Sequence, residues 1–130
     1  MERMKMKKKY SRAFVPNPNF RFDPTELKNL ADEIIYVCDR PMFDNLMGDD
    51  HIPSYEGKIA ERMMDFNPET DVIAYYGDSI IFALMVMWLS ENYTVFDMAR
   101  FSSKEQTYLV RAMSIDNFSF PARQLVAAVG

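Results

Sequence analysis

The sequence predicts an α/β fold, with α+β as the alternative: a small mixed sheet of about two to four strands, holding a βαβ unit and a C-terminal hairpin and covered by about three helices. Three observations carry this. A β-branched and aromatic run at residues 71–76, an apolar run at 80–89 and a second aromatic run at 93–101 succeed one another within about 30 residues, the spacing of a parallel βαβ unit. In residues 107–113, Tyr108, Val110 and Ala112 alternate with Leu109, Arg111 and Met113, as the two faces of a returning strand do. A length of 130 residues with 48% hydrophobic composition supplies one core and leaves nothing for a second domain.

Residues 10–16 read as a strand that ends where Pro16 and Pro18 remove ladder donors. A turn-rich connector follows at 17–22. Asp23-Pro24-Thr25-Glu26 has the form of a helix start, with Asp23 as cap, Pro24 at the first helical position and Glu26 three residues after the cap. Leu27, Leu30, Ala31, Ile34, Ile35 and Cys38 then fall on one helical stripe, which Arg40-Pro41 terminates. An acidic loop at 43–53 leads to a second helix, capped by Ser54, with Ile59, Ala60, Met63, Met64 and Phe66 as its buried face and Pro68 as its stop.

After the strand at 71–76, Gly77-Asp78-Ser79 turns the chain, and Asp78 or Ser79 caps the helix at 80–91. That helix is apolar nearly all round, which predicts near-complete burial. For residues 102–113 two readings compete. One is a helix capped by Ser103; the other is a loop and an antiparallel strand, and the alternation favours the strand. The expected organisation is therefore a basic flexible arm at 1–12, a single α/β domain at 13–116 and a weakly anchored tail at 117–130.

Charge is divided unevenly. Residues 1–12 carry Arg3, Lys5, Lys7, Lys8, Lys9 and Arg12 against Glu2, a net +5, so the rest of the chain carries −9 of the total −4. A basic arm on an acidic body suits nucleic acid phosphates or an acidic partner, whereas the body itself repels a duplex backbone. Cys38, the one cysteine, excludes an internal disulfide and a cysteine-rich zinc site. The longest apolar run, ten residues, is about half a membrane span. The first residues hold no apolar segment of the signal-peptide kind, so no membrane and a cytoplasmic location are expected.

The stretch from Arg62 to Met113 resembles the conserved half of a family of small uncharacterised phage proteins. The matching positions are Asp65 and Phe66 at a helix end, Asp71 opening a strand, the turn Gly77-Asp78, and Phe101 and Tyr108 in a two-strand hairpin. Where that family carries proline after Gly-Asp, this chain has Ser79. The resemblance implies a viral origin and the hairpin, and it brings no activity with it.

Four groups of residues carry candidate chemistry. Gly77, Asp78 and Ser79 lie between a strand's C-terminal end and a helix N-terminus, where α/β sheets bind ligands and free N–H groups favour anions. Against that stand the lack of a G-x-G-x-x-G or Walker pattern and the negative charge of Asp78; a tight turn and a helix cap account for all three residues. Asp44, Asp49, Asp50 and His51 supply metal-type donors but not the spacing of a calcium loop, so no metal is expected. Ser79, His51 and an aspartate lack a nucleophile elbow, and Cys38 reads as inert packing, so no catalytic residue is assigned. Arg100 and Arg111 near Phe96, Phe101 and Tyr108 form a set able to stack single-stranded bases, or an ordinary strand face.

The eleven methionines, among them Met63, Met64, Met85 and Met87, read as core filler before a partner surface. With no cofactor cradle, the expected function is that of a non-enzymatic phage accessory protein binding a host or viral protein, with homodimerisation through exposed sheet edges a further option. The alternatives are a nucleic-acid-associated protein using Lys5, Lys7, Lys8, Lys9, Arg12, Arg100 and Arg111, and a nucleotide-binding protein at Gly77–Ser79.

Overall fold

Ala13, Phe14 and Val15, with no exposed surface, lie in an interior strand of a five-stranded mixed sheet. This strand, β1 (Tyr10–Val15), is flanked on both sides by parallel neighbours, β2 (Ala31–Tyr36) and β3 (Asp71–Ala74). Beyond β3 lie β4 (Val95–Ser102), parallel to it, and β5 (Thr107–Ser114), antiparallel to β4, so the order is β2-β1-β3-β4-β5. Three helices, α1 (Thr25–Leu30), α2 (Ile52–Met63) and α3 (Ser79–Asn92), complete the described fold. The structure is a computed structural model and describes residues 9–18, 24–38 and 52–114, with 52–55 as backbone alone.

Strand alternation divides the core in two. On one face Phe14, Ile73 and Phe96 pack with Ile59, Met63 and Phe66 from α2 and its end, and with Ile81, Met85 and Leu89 from α3. Phe66 meets Phe14 edge-on at 5.3 Å, a favourable quadrupole geometry, and its carbonyl accepts the Tyr93 hydroxyl at 3.2 Å. Arg62 reaches across to donate to the Tyr36 carbonyl at 2.8 Å, which ties α2 to the end of β2. On the other face Ala13, Ala31, Ala74 and Ala99 join Val15, Val72 and Tyr76 under Leu27 of α1. Small side chains let that short helix approach the strands closely.

The βαβ unit and the hairpin form as the sequence predicts: β3, α3 and β4 make the parallel pair, and β4 and β5 make the antiparallel one. Four expectations need correction. The sheet has five strands, where two to four are expected, and the additional one is β2. The first helix ends at Leu30; Ala31 is already extended at φ −144° and ψ 156°, and Ile34 and Ile35 belong to β2. Their β-branched side chains suit a strand, and pairing with β1 satisfies the backbone that a longer helix would have satisfied locally. Met64 is 72% exposed because α2 ends one residue before it. In α3 only Ile81, Met85 and Leu89 are buried, one stripe at a spacing of four, and Met87 is 59% exposed.

At the N-terminal ends of β1 and β3, Arg12 and Asp71 are register partners. The Asp71 carboxylate is fully buried and accepts from Arg12 Nη2 at 2.8 Å, from the Asn67 N–H at 2.8 Å and from the Thr70 hydroxyl at 3.2 Å. The Arg12 guanidinium also donates to the Asp65 carbonyl and lies 5.1 Å from the centre of the Phe14 ring. A buried charge stripped of its partner costs more than the intact pair contributes. Arg12→Leu is accordingly expected to lower unfolding free energy by about 3 kcal/mol, measured by urea denaturation. A loss below about 1 kcal/mol would place this pair with ordinary surface ion pairs.

Candidate functional site

Chain connectivity reverses direction at β1: it runs outward to β2 and then returns to β3 on the far side. In open α/β sheets the crevice outside the strand C-termini at such a point is the usual ligand site. Here its floor is fixed by Asn17, which follows β1 and is 3% exposed. The Asn17 side-chain oxygen accepts the Asp78 N–H at 2.9 Å. Gly77 adopts φ +95°, and a Cβ there would stand 2.3 Å from Asn17 Oδ1 and 2.8 Å from its carbonyl oxygen. The glycine therefore serves the close approach of two backbone segments. Asp78 caps α3, its Oδ1 accepting from the N–H groups of Ile80 at 2.8 Å and Ile81 at 3.1 Å.

This cap changes the meaning of the turn. The donors that a phosphate would use at the start of α3 are engaged by a carboxylate, which also repels anions. Ser79 is exposed at the first helical position. Gly77 alone of the three lines the cavity that opens beside it.

That cavity, about 620 Å³, lies at the C-terminal ends of β3 and β4. Its wall on the alanine-rich face is formed by Tyr76, Phe101 and Tyr108 with Glu26 of α1, and its rim by Tyr75, Gly77 and Arg100. Register explains the convergence. Phe101 and Tyr108 are cross-strand partners and meet edge-on at 5.6 Å. Tyr75 is 44% exposed and rests edge-on against Phe82 of α3 at 5.1 Å. The Tyr108 phenol is pushed up to about 12 by desolvation, by Tyr76 and by the Glu26 carboxylate. The volume and the apolar lining with few polar groups are those of small-molecule sites.

Other sequence candidates are placed as follows. Arg12 lies inside β1 with its guanidinium committed to Asp71, although it falls within the arm expected at 1–12. Lys9 pairs with Asp32 at 3.6 Å, both side chains largely exposed. Arg100 pairs with Leu109 and Arg111 with Met98, so both arginines lie on one face of the hairpin while Phe101 and Tyr108 lie on the other. Phe96 is buried beneath the helices. Cys38 is buried beyond β2, its N–H donating to the Pro16 carbonyl at 2.8 Å. Lys5, Lys7, Lys8, the loop with Asp44, Asp49, Asp50 and His51, and the tail from 117 lie outside the described residues. Among the described residues no three His, Cys, Asp or Glu side chains cluster as metal donors, and no helix is long and apolar enough to cross a membrane.

Sequence reasoning missed Tyr75, Tyr76 and Glu26. The available signal was a pair of tyrosines before a turn glycine; Glu26 was explained by helix capping and drew no further notice. Comparison with family models, with curated proteins and with solved structures finds no match to this chain.

Two outcomes are expected. Gly77→Ala should cost about 2 kcal/mol, from the positive φ and the Asn17 contact, whereas Asp78→Ala should cost about 1 kcal/mol as a lost cap; thermal denaturation ranks the two. Tyr108 and Tyr10 both titrate above the ordinary 10.0, Tyr10 through burial and then its 2.6 Å bond to Asp97. The folded chain therefore keeps phenolic protons that the unfolded chain loses. Stability from this source is complete below pH 10 and falls as pH rises toward 12. Tyr108→Phe should flatten that decline in a series of urea midpoints.

Proposed function

We propose that the protein is a small-molecule-binding module whose ligand inserts a ring or compact apolar group into the cavity at the ends of β3 and β4. One observation carries this reading: three aromatic side chains, Tyr76, Phe101 and Tyr108, converge with Glu26 on a cavity of about 620 Å³ beside the point where strand order reverses. Stacking and edge contacts supply affinity, and the few polar groups supply orientation. The nucleotide alternative shares this location but loses its phosphate cradle to Asp78.

A second reading, binding of a host or viral protein by a phage accessory protein, draws support from β5. This eight-residue strand pairs with β4 on one side, and Leu109 and Val110 are 42% and 41% exposed. An edge without a neighbour among the described residues, with apolar side chains, suits strand addition by a partner or by a second copy.

The ligand reading is tested by saturation-transfer NMR with benzyl alcohol, indole and adenosine on the full chain. Transfer to at least one of them is expected, with loss in Phe101→Ala, a substitution tolerated because Phe101 is 38% exposed. Silence from all three probes, or transfer that survives Phe101→Ala, would remove the cavity as the functional site.

A further inference from the structure

We infer that the ligand of this cavity is an organic cation, an ammonium bearing apolar or ring substituents, held by the Glu26 carboxylate and the faces of Tyr76, Phe101 and Tyr108. The inference rests on the cavity reading above and adds the sign of the ligand's charge.

Three features agree on that sign. Aromatic faces carry negative potential, and a box of them is the usual receptor for a poorly hydrated ammonium group. Glu26 brings its carboxylate to the same wall and accepts the Asn29 side-chain amide at 3.3 Å, on the exposed side of α1. The charge is felt inside, because Glu26 is among the groups that hold the Tyr108 proton in place. Third, Arg100, which also lines the cavity, reaches it from the face of β4 opposite to the aromatic wall. Arg100 alternates with Ala99 and Phe101 along β4 and shares its face with Leu109, opposite to the aromatic wall. The N-terminus of α3 is closed by Asp78.

The experiment compares three phenyl compounds that differ in charge: phenyltrimethylammonium, benzyl alcohol and phenylacetate, titrated into the full chain with NMR detection. Phenyltrimethylammonium is expected to bind about tenfold more tightly than benzyl alcohol. In Glu26→Gln that ratio should fall to about twofold, the part the ring faces supply alone, with unshifted Phe101 and Tyr108 ring resonances in the free variant reporting an intact cavity. Tightest binding of phenylacetate, or equal binding of all three, would overturn the cation inference and leave the cavity reading in place. Binding of none of the three would overturn both. An undiminished preference of about tenfold in Glu26→Gln would overturn the role given to Glu26.

Discussion

The contact of Asn17 with Gly77 sets how closely the segments leaving β1 and β3 approach each other at the end of the sheet where the site lies. A side chain on residue 77 would meet Asn17 at 2.3 Å, so the two segments close only because a glycine stands there with φ +95°. The same asparagine takes the Asp78 N–H, which aims the Asp78 carboxylate at the first turn of α3. One small joint thus fixes the approach of the two segments, the start of α3 and the edge of the cavity. At the opposite end of the same two strands, Arg12 and Asp71 do the corresponding work with charge. Between them β1 is held at both ends, as a strand with parallel neighbours on either side must be to keep its register.

Among the described residues the two faces of the sheet are covered unequally, and the cavity follows from that inequality. One face has two helices of twelve and fourteen residues; the other has a single described helix of six. Six residues rise about 9 Å, while five strands side by side span about 19 Å. The short helix α1 lies over alanines and touches β1, β2 and β5, so it crosses the face without filling it. Where its first turn leaves the strand ends, Tyr76, Phe101 and Tyr108 line the cavity with Glu26 beside them. A longer helix at this point, which the apolar stripe through Cys38 suggests, would cost the sheet its edge strand β2.

That stripe marks the limit of what local pattern can convey. Residues 71–114 are legible because each element carries its own signal: a β-branched run, a capped apolar helix, an alternating hairpin. Leu27, Leu30, Ala31, Ile34 and Ile35 fit a helical period equally well whether or not the chain stays helical, and the deciding term is pairing with β1, some twenty residues earlier. The site divides in the same way. Phe101 and Tyr108 are visible as a hairpin pair, and Gly77 and Asp78 as a turn. Their union with Glu26 depends on α1 crossing the alanine face, which no spacing records. The alternation within β4 and β5 did contain one usable fact: Arg100 and Arg111 share a face that Phe101 and Tyr108 do not.

The chemistry of the strand ends follows from what occupies each charge-bearing position. At a switch point, phosphate binding needs free N–H groups at a helix start and a glycine that makes room for the anion. In this chain the N–H groups of Ile80 and Ile81 face a carboxylate, and the glycine makes room for an asparagine. The remaining polar contributions on the aromatic wall are two phenols and Glu26, none of which brings positive charge. With α3 self-capped and Arg100 reaching the cavity from the far face of β4, ring faces and one carboxylate are the groups that stand on the wall itself. A fold type associated with anions is in this way furnished for the opposite sign, and the substitution that makes it so is Asp78 as cap in place of a bound phosphate.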